Sequence, residues 1–140
     1  MVQEKFDYAI EQIGEQNIVL KTKSCNFFGQ KSKGLSQIRG NGILILTGDG
    51  LFFELFVPSR YWFIPLEKMK DVGTPTRFLQ KTNTKPLLQI NFTNEEGEDD
   101  AMAFYIKELD QWSTQIVYMI DCFKEKGKNK EKYQKGYDKE

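Results

Sequence analysis

The chain has 140 residues, enough for one domain with a real core and too few for two. Its 20 basic and 20 acidic residues cancel and 14% of the residues are aromatic, so bulk charge selects no partner class and disorder is excluded for most of the length. No stretch approaches the roughly 20 apolar residues of a membrane span and the N-terminus is too polar for a signal peptide, which predicts a cytoplasmic chain.

The charge is nevertheless lopsided. From Gln16 to Gly48 there are five basic residues, Lys21, Lys23, Lys31, Lys33 and Arg39, and no acid. From Val72 to Asn94 there are Arg77, Lys81 and Lys85, again with no acid, whereas Glu95–Asp100, EEGEDD, holds five acids in six positions. The two cysteines, Cys25 and Cys122, lie far apart and without metal-ligand spacing, which reads as a reduced chain with inert core thiols.

In chain order, Val2–Ile13 carries Val2, Phe6, Ala9, Ile10 and Ile13 at helical spacing and stops at Gly14, predicting a short amphipathic helix. Asn17–Phe28 predicts a long first strand bent near Ser24, followed by a basic, glycine-containing loop over Gly29–Arg39. Gly40–Leu66 is the largest apolar block and predicts three antiparallel strands. The first, Gly42–Thr47, is apolar on both faces; Gly48-Asp49-Gly50 turns it into the second, where Leu51, Phe53, Leu55 and Val57 form the core face. Pro58-Ser59 turns again into Arg60–Pro65, with Trp62 and Ile64 opposite Tyr61 and Phe63.

Met69–Phe78 is a weaker strand broken by Gly73 and Pro75, and Leu79–Lys85 a polar loop. Pro86–Thr93 and Ala101–Lys107 alternate as strands six and seven around the acidic turn. The period then changes: Leu109, Trp112, Ile116, Met119, Ile120 and Phe123 share one helical face, predicting a helix from Glu108 to about Glu125. The remainder has seven lysines against four acids from Lys124 onward and reads as a disordered tail over 125–140. The expected organisation is therefore a helix over 1–16, one domain over 17–124, and the tail.

Several chemistries are excluded by what is missing. There is no histidine, hence no ordinary general base near neutral pH. GQKSKG has glycine spacing like a phosphate loop, but Leu35 stands where the lysine is needed, before Ser36 at the hydroxyl position. EEGEDD lacks the pattern of a calcium loop. A non-enzymatic module without cofactor or metal is expected, and the neutral balance argues against nucleic acid.

The run Gly42-Ile43-Leu44-Ile45-Leu46-Thr47, the step Leu51-Phe52-Phe53, the step Ile64-Pro65-Leu66 followed by Met69 and Val72, and Trp112 on the closing helix carry a family likeness. With seven antiparallel strands closed by one helix, the chain resembles the pleckstrin-homology-like barrel, its GRAM branch in particular, over roughly Asn17–Phe123. The GLUE domain of membrane-sorting complexes is similar in outline. The resemblance implies an adaptor docking on a partner protein, or alternatively a module binding anionic phosphoinositide lipid at a membrane. Lipid-binding members place cations on the first strand and the loop after it, here Lys21, Lys23, Lys31, Lys33 and Arg39, and the lysine tail from Lys124 onward would add a second electrostatic contact. For docking, the apolar second face of the first sheet points to Phe52, Phe56 and one of Trp62 or Tyr61, under the N-terminal helix or a partner. An exposed strand edge near Gly73–Phe78 offers a second docking route by strand addition.

Overall fold

The computed structural model describes the backbone of residues 2–137 and the side chains of residues 2–127. Helix α1 (Val2–Ile13) precedes strand β1 (Ile18–Gln30), and β2 (Gly40–Thr47), β3 (Gly50–Leu55) and β4 (Arg60–Pro65) follow as a meander. After β5 (Met69–Gly73) come the two-residue strands β6 (Arg77–Phe78) and β7 (Lys81–Thr82), then β8 (Leu88–Thr93), β9 (Asp99–Tyr105) and helix α2 (Leu109–Tyr137). Seven strands form one antiparallel sheet in the order β4-β3-β2-β1-β9-β8-β5, while β6 and β7 form a separate hairpin.

β1 holds two neighbours in succession. Its first part pairs with β2, from Ile18 opposite Thr47 to Phe27 opposite Gly40, and its last part pairs with β9, from Asn26 opposite Tyr105 to Gln30 opposite Met102. The register slips between Thr22 and Cys25, at the bend expected near Ser24, where the Ser24 N–H donates to Thr22 Oγ1 at 3.1 Å. A local side-chain acceptor there replaces a ladder bond, and the strand turns.

The curl brings the inner faces together. Phe27, Phe53 and Phe104 are at most 1% exposed and contact one another, with ring centroids 4.8–5.6 Å apart. Trp112, Ile116 and Ile120 of α2 close the interior, as the helical spacing expects. The outer faces are covered too: Phe6, Ala9, Ile10 and Ile13 of α1 lie over Ile43, Ile45, Phe52 and Phe56, and the segment carrying the β6–β7 hairpin lays Phe78, Leu79 and Leu87 over Phe28, Ala101 and Ala103.

The course of the chain departs from the sequence reading at Val57, between Met69 and Phe78, and at the end of α2. β3 ends at Leu55, so Val57 leaves the core face and is 81% exposed in the turn. Met69–Phe78 is not one strand, because Gly73 weakens the ladder and Pro75 has no N–H to give it; the chain leaves the sheet there, and the expected loop supplies β7 instead. α2 runs on to Tyr137 rather than ending near Glu125, the extension carried by lysine, glutamate and glutamine, good helix formers, in spite of Gly127 and Gly136. Residues 138–140 of the expected tail lie outside the described residues.

The glycine that opens the apolar run is set by packing: a Cβ on Gly42 would stand 2.3 Å from the Glu54 carbonyl oxygen and 2.7 Å from the Phe53 ring. Gly42→Ala is therefore expected to cost roughly 1–3 kcal/mol, read as a lower urea midpoint at unchanged slope. An unchanged midpoint would contradict this packing.

Candidate functional site

The expected cations do not converge. Lys21 pairs with Glu15 at 3.3 Å, and Lys23 donates to Gln3 Oε1 of α1. Arg39 Nε donates to the Phe28 carbonyl at 2.7 Å, clamping the place where β1 parts from β2. Lys31 and Lys33 are exposed on a 3-10 turn, and their side chains make no hydrogen bond among the described residues.

That turn is fixed from below by Asp100. Its carboxylate is 5% exposed and accepts from Gln30 Nε2 (2.6 Å), Ser32 N (2.9 Å), Ser32 Oγ (2.7 Å), Ala101 N (2.8 Å) and Asn94 Nδ2 (3.3 Å). Burial raises its pKa, but the hydrogen bonds from Ser32, Gln30 and Ala101 outweigh it and hold the carboxyl below the ordinary aspartate range. The acidic hairpin is thus partly spent inside the molecule. Asp100 latches the basic loop, Asp99 pairs with Lys70, and Glu95, Glu96 and Glu98 remain exposed. Among the described residues no three histidine, cysteine, aspartate or glutamate side chains gather as a metal site would require.

The aromatic candidates are also redistributed. Trp62 points into the barrel, with its ring 5.4 Å from Phe27 and 5.3 Å from Phe53, so it is not an outward docking residue; alternation gives that role to Tyr61. Phe52 and Phe56 are half-buried beneath α1 and are not the open surface either. What remains outside is Tyr61, 75% exposed and stacked on Phe52 at 6.3 Å, and Phe63, 48% exposed.

From Phe63 an open groove of about 730 Å³ runs to α2, passing Val19, Pro65 and Leu66 to reach Tyr118, Met119, Cys122 and Phe123. A second cavity, about 300 Å³, lies between Trp62–Pro65 of β4 and Thr93–Glu96 of the β8–β9 hairpin, with Lys33 and Lys68 at its rim. Alternation in RYWFIP marks Tyr61 and Phe63 as outward, but no local signal announces the groove, whose walls come from β1, the β2–β3 turn, β4 and α2.

The two cysteines occupy different settings. Cys25 is in the core, where burial pushes its thiol far above the ordinary range despite a hydrogen bond with the Gly42 backbone. Cys122 is half-buried in the groove wall. No helix among the described residues is long and apolar enough to cross a membrane.

No protein-family model and no curated protein matches this chain in sequence. Solved structures do match. The C-terminal domain of an unknown protein from Leishmania infantum superposes with a TM-score of 0.57 at 11% identity, covering 86% of this chain and 98% of that one. The Vps36 N-terminal PH domain superposes at 0.54 with 16% identity, covering 76% of this chain and 80% of that one. The fold is pleckstrin-homology-like. At such identities the likeness speaks for the PH-like backbone and for nothing bound to it.

The Asp100 latch has a pH consequence. Because its folded pKa is depressed, its stabilisation is complete above the unfolded value of about 3.9 and is lost as pH falls through the lower folded value. Asp100→Asn is expected to destabilise by about 1–3 kcal/mol at neutral pH, to flatten the stability profile below about pH 4, and to speed hydrogen exchange at Ser32. Identical acid limbs for the two proteins would refute the latch.

Proposed function

We propose that this chain is a non-catalytic PH-like adaptor that docks on a partner protein. The observation that carries this reading is the exposed aromatic strip of Tyr61 and Phe63, continuous with the groove ending at Tyr118 and Phe123. α1 and the β6–β7 segment cover other apolar parts of the outer faces, whereas Tyr61 stays exposed and Phe63, with Val19, lines a concavity of the size that binding sites use. Residues 17–124 form the docking domain, with α1 as the cover of one face. Within the superfamily we place it with the GRAM branch, with a GLUE-like sorting domain as the alternative. Thr47, which ends the apolar run of that likeness, accepts from the Asp49 and Gly50 N–H groups at 3.2 Å and so shapes the β2–β3 turn beside the groove.

The second reading is attachment to an anionic lipid surface, which would make the protein a peripheral visitor at a membrane from the cytoplasm. It is favoured by Lys31 and Lys33, which the Asp100 latch presents without internal partners. Lys31 and Lys33 near an anionic surface contribute about 2 kcal/mol before screening, by themselves short of the roughly 4 kcal/mol of a millimolar complex, so this reading leans on the lysine tail from Lys124 onward for the rest. Glu95 and Glu96 share the cavity rim with Lys33 and oppose a phosphate. Protein docking is accordingly placed first.

In affinity capture from a cell extract followed by titration of the captured partner, Phe63→Ala and Phe123→Ala are each expected to weaken binding by about 1–2 kcal/mol, while Lys31→Glu with Lys33→Glu leaves it unchanged. Vesicle co-sedimentation that requires anionic lipid, falls with salt and disappears in the lysine variant would transfer the function to the second reading.

A further inference from the structure

β4 has a hydrogen-bonding neighbour on one side only. In an antiparallel ladder alternate residues turn N–H and C=O toward the neighbour and those between turn theirs away, so half of its backbone groups face off the sheet. Among the described residues no other backbone or side-chain group bonds to them. The other edge of the sheet differs: α2 packs against β5, where Lys124 Nζ donates to the Lys70 carbonyl at 3.3 Å, and the stretch expected to offer an edge, Gly73–Phe78, leaves the sheet after Gly73 and pairs as β6 with β7.

Edge strands are ordinarily guarded by charge, proline, glycine or a bulge. β4 has Arg60 at its start and Pro65 at its end, but Tyr61-Trp62-Phe63-Ile64 between them has none of these, and its pairing with β3 runs without a slip. The 300 Å³ cavity borders this edge along Trp62–Pro65, and the larger groove begins at Phe63 and Pro65. A strand laid on β4 would point alternate residues, about 7 Å apart on each side, into the first cavity and onto Tyr61 and Phe63.

We propose that β4 binds an extended, uncharged apolar segment of the partner protein as an added strand of the sheet; this rests on the docking reading above and specifies its mode. The charges at the site select against a charged segment. The smaller cavity sets Lys33 and Lys68 against Glu95 and Glu96, and the groove sets Asp49 and Glu67 against Lys126, so neither sign gains by entering. A second copy of this chain fits less well, since its own Trp62 and Ile64 are committed to its own interior and cannot fill the first cavity. Pro65 ends the ladder because it has no N–H, which confines pairing to Tyr61–Ile64.

The experiment is selection from a displayed random-peptide library on the full chain, followed by titration of the enriched peptides made synthetically. The expected result is enrichment of uncharged peptides with apolar residues at alternate positions, and slower hydrogen exchange in β4 on binding. Phe63→Arg, and separately the exposed Tyr61→Ala, should weaken binding by about tenfold or more with circular dichroism unchanged. N-methylation of alternate peptide amides should abolish binding while methylation of the intervening ones does not. Peptides that are lost with Phe63→Arg yet tolerate methylation at every position would overturn strand addition while leaving the aromatic docking surface in place. No enrichment, enrichment of charged peptides, or a self-dimer abolished by Phe63→Arg would each overturn the proposal as well.

Discussion

β1 has to satisfy backbone groups on two different neighbours along one strand, and the architecture follows from how it does so. It pairs with β2 as part of the meander through the slip at Thr22–Cys25 and on to Phe27, and from Asn26 to Gln30 it pairs with β9 and carries the second half of the sheet with it. A flat sheet of seven strands would leave its inner aromatics in water. The bend instead folds Phe27, Phe53, Phe104 and Trp62 onto one another, and the remaining opening is sized for the Trp112 face of α2. The two ends of the curled sheet, β4 and β5, are then left as edges in different circumstances, one open and one against the helix.

A curled sheet with apolar residues on both faces needs covers outside as well as a core within. Two short peripheral elements supply them: α1 over Ile43 and Ile45, and the β6–β7 segment over Phe28. The cover stops at β4. Its outward residues are aromatic, its outer edge carries unpaired backbone, and a groove opens beside it. These are properties a protein surface ordinarily avoids unless something binds there.

Electrostatics take a supporting part. The basic and acidic stretches come together at one rim, but the contact that organises them is a buried carboxylate receiving hydrogen bonds rather than a lattice of surface ion pairs. Asp100 is desolvated and fully engaged, so it is worth more to the loop than exposed pairs such as Lys21 with Glu15. The same latch presents Lys31 and Lys33 outward beside Glu95 and Glu96, a mixed rim with no strong preference for either sign of ligand.

The alternation of Leu51, Phe53 and Leu55, the 3.6-residue spacing of Trp112, Ile116 and Ile120, and the turn residues at Gly48–Gly50 are local patterns, and by themselves they determined the antiparallel strands, the closing helix and the amphipathic first helix. The bend in β1 was legible for the same reason, since Thr22 and Ser24 act on their own neighbourhood. Which of two alternating aromatics faces out, where β3 stops, and which edge stays open are relations between segments distant along the chain. Val57 looks like a core residue until the turn lifts it away, and Trp62 like a surface residue until Phe27 arrives from β1 to meet it. Lys23 and Arg39 read as free cations until α1 and the Phe28 carbonyl engage them. Only tertiary packing decided these, because burial and hydrogen bonding depend on what lands opposite a residue, which its sequence neighbours do not specify.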